Sequence, residues 1–120
     1  MNRTPRRHND LPKTLSYTVA GICADGEAVS AAITQACRLP SGPYRVRGLI
    51  QMEERVLVQL LPAGGAALET YRFVEACDGS EDELLCLLAE RWTAGFECLG
   101  SVSAGDGLLL LLFAVPEGPA

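Results

Sequence analysis

Arg45 and Arg47 are two residues whose spacing suits binding. They stand two apart in an alternating stretch, so both guanidiniums leave one face of a strand. Such a pair can clamp a carboxylate or a phosphate. With Tyr44 beside them, they form a candidate site for a small anionic ligand. The same pair also suits a solvated sheet face or a charged edge strand. Asp78, Glu81, Asp82 and Glu83 cluster as if for a cation. However, Ser80 three residues before Glu83 is a capping box, and acids at a helix start are stabilised by the positive end of the helix dipole, so no ligand is needed to explain them. Glu53-Glu54 reads as an ordinary turn.

Cys23 and Cys77 would make a redox pair if the chain brought them together. Their neighbours Asp25 and Asp78 would raise a thiol pKa rather than lower it. The cysteines number five, at 23, 37, 77, 86 and 98, with no Cys-x-x-Cys. An odd count in apolar surroundings reads as reduced, buried thiols. The one histidine, His8, and the one lysine, Lys13, both lie near the start. This leaves no Ser-His-Asp set, no zinc-ligand spacing and no phosphate loop after Gly64-Gly65. No catalytic residue, metal or cofactor is expected.

The elements that must position these residues are read from periodicity. The chain has 120 residues, 48% hydrophobic and 21% charged, with a net charge of −5. That is one globular domain whose charge disfavours nucleic acid. The longest apolar run, Leu108 to Val115, is too short for a membrane span of about 20 residues. No apolar stretch follows Arg3, Arg6 and Arg7, so a secretory signal is not expected and the cytoplasm is the expected location. Residues 1–14 read as a flexible basic tail and 117–120 as a second tail.

Alternation predicts a strand from Leu15 to Cys23, and a helix follows from Glu27 to Leu39, with Asp25 as N-cap. Strands follow over Tyr44 to Met52 and Arg55 to Leu61. Tyr44, Val46, Gly48, Ile50 and Met52 are expected on one face of the first of these. After a linker at 63–68 the order repeats: a strand from Glu69 to Cys77, then a helix from Ser80 to about Trp92. Leu84, Leu85, Leu88 and Trp92 are expected on that helix's buried side. Strands at Phe96 to Ser103 and Leu108 to Val115 then form a hairpin around Gly105-Asp106-Gly107.

Tyr17 to Pro62 and Tyr71 to Pro116 each span 46 residues at an offset of 54, pairing Cys23 with Cys77. The fold class expected is α+β, with six strands and two helices in two tandem β-α-β-β halves, 15–62 and 69–116. The halves either share one sheet or form two sheets that face each other.

Tyr71-Arg72-Phe73-Val74, Gly95-Phe96-Glu97-Cys98-Leu99 and Phe113-Ala114-Val115-Pro116 carry a resemblance. Residues 68–116 resemble a small bacterial strand-helix-strand-strand domain family of unknown function. Its members read Gly-Trp-Glu-Leu-Val and Phe-Lys-Arg-Pro at these places. The resemblance implies the order of elements and transfers no activity.

Leu108 to Val115 is apolar on both faces, so each face needs a cover, either another layer of the same chain or a second subunit. A partner covering the face of Leu108, Leu110 and Leu112, with Val58 joining from the neighbouring strand, would make the protein a homo-oligomer or a docking module for another protein. A non-enzymatic binding or assembly module is the function expected; a small-molecule binder or enzyme with a pocket between the halves is the alternative.

Overall fold

The computed structural model describes residues 12–38, 43–64, 69–76, 80–105 and 107–116. Cys77, Asp78, Asp106, His8 and the arginines before it lie outside them. The element order is β1 (Lys13–Thr18), α1 (Val19–Ala24), α2 (Gly26–Ala36), β2 (Tyr44–Met52), β3 (Arg55–Pro62), β4 (Glu69–Ala76), α3 (Glu81–Thr93), β5 (Glu97–Ser103) and β6 (Leu109–Pro116). The fold is α+β, with two antiparallel three-stranded sheets ordered β1-β3-β2 and β4-β6-β5. Of the two arrangements open from sequence, the chain adopts two sheets.

The first half departs from the expected pattern at its start. β1 begins at Lys13, which pairs with Leu60, so residues 13 and 14 belong to the sheet and not to a tail. It ends at Thr18, whose hydroxyl accepts a hydrogen bond from the Gly21 N–H at 2.9 Å and caps α1. The expected strand through Cys23 is therefore broken by a short helix, and the described chain has three helices where two were expected. Asp25 then caps α2, accepting from the Ala28 N–H at 3.0 Å.

The repeat holds in its order of elements but not as one constant offset. Arg55 and Leu109 open matching strands 54 apart, and Pro62 and Pro116 close them at the same offset. Thr18 and Ala76, which end β1 and β4, are instead 58 apart. Cys23 sits on α1, so it is not at the end of a first strand as the alignment required.

One core lies between the inner sides of the two sheets. Val56, Val58 and Leu60 of β3 meet Leu110, Leu112 and Ala114 of β6 there, with Ile22 and Ile33 from the first two helices. A second, smaller core forms on the other side of the β4-β6-β5 sheet. There Leu84, Leu87 and Leu88 of α3 pack over Leu111, Phe113 and Ala76. Both faces of β6 are thus covered within one chain, and Leu111, Leu112 and Phe113 are all buried.

α2 does not lie on its own sheet as α3 does. It runs along the free edge of β4, where Ser30 and Thr34 accept hydrogen bonds from the Phe73 and Tyr71 N–H groups, each at 3.0 Å. Four helical residues advance about 6 Å, and two strand residues advance about 6.7 Å. The spacing of the two hydroxyls therefore matches the spacing of the outward amides. Each hydroxyl also donates to its own helix, Ser30 to the Gly26 carbonyl and Thr34 to the Ser30 carbonyl. The helix substitutes for a missing strand and closes an edge that would otherwise be open to pairing.

Two of the other three edges, β2 and β5, meet across the two sheets. The Gln51 side chain donates to the Ser103 carbonyl and accepts from the Ser103 N–H, both at 2.8 Å. Close approach requires glycine here: a Cβ on Gly100 would stand 2.9 Å from Leu49 Cγ.

Candidate functional site

Because α2 serves the edge of β4, no helix among the described residues is left for the outer face of the first sheet. The register places Arg45 opposite Leu61, Gly48 opposite Gln59, Ile50 opposite Leu57 and Met52 opposite Arg55 on that side. β1 adds Thr14, Ser16 and Thr18. Ile50 and Met52 are 56% and 59% exposed, while the matching face of the other sheet lies under α3. Met52, Glu53, Arg55 and Leu57 line a shallow depression of about 540 Å³ on this open face.

A β-bulge creates this exposure. Pairing of β2 with β3 slips between Val46 and Gly48, leaving Arg47 as the extra residue. One inserted residue inverts the alternation that follows it. Tyr44 and Val46 therefore point inward before the bulge, and Leu49 and Gln51 point inward after it. Ile50 and Met52, expected beside Tyr44 on one face, are turned to solvent instead. No residue of the stretch signals the slip except Gly48.

Three arginines border the apolar patch. Arg45 and Arg47 are exposed, as their spacing suggested. Arg55 is held across β1 by hydrogen bonds from its guanidinium to the Ser16 hydroxyl. The Arg45 charge is also felt at Glu69. Burial raises the Glu69 carboxyl pKa, the Arg45 charge lowers it, and Glu97 raises it again.

Tyr44 does not join the arginines. It is buried on the inner side, with the Lys13 amine 6.0 Å from its ring centroid. The expected anion site of Tyr44, Arg45 and Arg47 is therefore split between two faces of one strand. The expected interface residues are corrected as well. Leu110, Leu112 and Val58 are buried in the core between the sheets, and Leu108 packs against that core. Leu110, Leu112 and Val58 offer no surface to a partner, because the first sheet already covers them, and Leu108 is half-buried.

α3 carries the second exposed apolar patch. Its N-terminus follows the sequence reading: Ser80 accepts from the Glu83 N–H at 3.0 Å, and Glu81, Asp82 and Glu83 occupy the first turn. The side packed on the sheet is Leu84, Leu87 and Leu88, each half-buried, which leaves Leu85 56% and Trp92 72% exposed, contrary to expectation. The sequence holds two overlapping apolar stripes, 84-87-88 and 85-88-92, and the helix buries the first. Arg91 stacks on Phe96, 5.4 Å from the ring centroid.

The thiols also differ from expectation. Cys23, Cys86 and Cys98 are exposed and only Cys37 is buried, among the described residues. Cys37 lies against Tyr71, whose hydroxyl accepts a hydrogen bond from the Val46 N–H at 3.0 Å. Burial pushes the Cys37 thiol up to about 11 and the Tyr71 phenol up to about 12. Both are protonated at neutral pH, so the pair is a packing element and not a nucleophile. Among the described residues, no group of three acids, cysteines or histidines could hold a metal, and no helix is long and apolar enough to cross a membrane. Comparison of the chain with family models, curated proteins and solved structures returns no match.

Proposed function

We propose that this protein is a non-enzymatic binding or assembly module of the cytoplasm, and that the outer face of its first sheet is where a protein partner docks. The single observation that carries this reading is the uncovered sheet side, where Ile50, Met52 and Leu57 lie among Arg45, Arg47 and Arg55. An apolar centre with an arginine rim is the composition of a protein-binding patch. Full burial of the three apolar side chains would contribute about 1.5–3 kcal/mol each. Association costs about 4–15 kcal/mol, so arginine pairing with an acidic partner must add to it. The net charge of −5 speaks against nucleic acid as the partner.

The test is the size of the native protein in an extract of the producing cell, measured by gel filtration. Ile50→Lys and Leu57→Lys should move it to the monomer position with little change in melting temperature. Elution of the unsubstituted protein as a free monomer contradicts the reading.

A further inference from the structure

We propose that the partner of the open sheet face is the outward side of α3 on a second copy of this chain, joined head to tail; this rests on the docking reading above and names its occupant. Three observations support it.

The two patches are chemically complementary. The sheet face is apolar with Arg45, Arg47 and Arg55 around it. The exposed side of α3 carries Leu85 and Trp92, and Glu81 and Asp82 lie one turn before Leu85. A spacing of seven sets Leu85 and Trp92 on one side of the helix, about 10.5 Å apart along its axis. Two open sheet faces packed on each other would instead bring arginines against arginines. The chain also shows the same kind of packing internally, where α3 covers the outer face of its own β4-β6-β5 sheet.

The layer order dictates head-to-tail geometry. Both sheets turn their inner sides to the shared core, so the open sheet face and α3 look away from it in opposite directions. One copy's helix can reach the next copy's sheet, while its own sheet stays free for another helix. Such a contact is heterologous and continues into a ring or a filament.

Mixing variants of the purified full chain tests this by sedimentation velocity. The unsubstituted protein should grow from micromolar to millimolar concentration, its average mass rising at least about twofold, and salt should oppose this. Ile50→Lys keeps only the helix surface, and Trp92→Lys keeps only the sheet surface. Each should be monomeric alone, and an equimolar mixture should form dimers that grow no further. Arg47→Glu and Glu81→Lys reverse the charges alone: each should be monomeric by itself, and their mixture, in which both contacts again pair opposite charges, should grow as the unsubstituted protein does. Circular dichroism verifies that all four are folded. Trp92→Lys that still self-associates, or a mixture that stays monomeric, overturns the proposal. So does an unsubstituted protein that is monomeric throughout; if it is nevertheless large in the cell extract, the docking reading stands and only the second copy is ruled out.

Discussion

Replacing Ser30 by Ala tests how the first half is fastened to the second. The Ser30 hydroxyl is buried at the junction of α2 and β4, where it accepts from the Phe73 N–H at 3.0 Å and donates to the Gly26 carbonyl at 2.7 Å. Alanine leaves the helix intact, since it is the better helix former. It leaves the strand amide without its partner in a partly buried place, which costs about 1–3 kcal/mol. With a urea slope of roughly 1.5–2 kcal/mol per molar, a loss of 1.5 kcal/mol lowers the midpoint by about 0.8–1 M. Thr34→Val removes the equivalent bond to the Tyr71 N–H. Because the two bonds share one junction, the double variant should lose less or more than the sum. Urea unfolding gives the magnitude and amide hydrogen exchange gives the place. The Phe73 amide should lose protection in Ser30→Ala, and the Tyr71 amide in Thr34→Val. Unchanged midpoints together with unchanged exchange at both amides would refute the idea that α2 stands in for a strand.

Four further outcomes follow from the structure. Gly100→Ala drives a Cβ to 2.9 Å from Leu49 Cγ and should cost about 1–3 kcal/mol in urea unfolding, with Leu49→Ala restoring part of it. Ser80→Ala removes the cap of α3 and should cost about 0.5–2 kcal/mol in the same assay. The folded-state pKa values of Cys37 and Tyr71 are raised to about 11 and about 12 from 9.0 and 10.0. The unfolded chain therefore releases these protons first as pH rises. Stability that is complete below pH 9 should fall between pH 9 and 12, and less steeply in Tyr71→Phe, as measured by melting temperature against pH. At neutral pH a thiol reagent should modify Cys23, Cys86 and Cys98 in the native protein and reach Cys37 only on unfolding.

The regular elements were legible because their local chemistry is unambiguous. The strand from Tyr44 to Met52 has the bounds read from alternation, and Ser80 caps its helix as the capping box required. What escaped the sequence was set by tertiary placement. A six-residue helix capped by Thr18 replaced the continuation of the first strand, because Val19-Ala20-Gly21-Ile22 satisfies either period over so short a stretch. The bulge at Arg47 turned Ile50 and Met52 outward, and nothing local demanded it. β6 is buried on both sides as its two apolar faces require, and of the covers open from sequence the same chain supplies both, the other sheet on one side and α3 on the other. α2 found its role on the edge of β4, a contact between halves that no pattern within one half encodes. Of the candidate binding residues, Arg45 and Arg47 lie on the open face, while Tyr44 is inside.

The claim that the open face of the first sheet is a docking surface is tested most directly by photo-crosslinking in the producing cell. A photoreactive phenylalanine analogue is placed at Ile50, with a control at the exposed Glu27 of α2. The expected result is a specific covalent protein adduct, or a regular series of them, from position 50, absent from position 27 and lost when Arg47→Glu is added. Illumination that yields no adduct at position 50, or the same products from both positions, would contradict it.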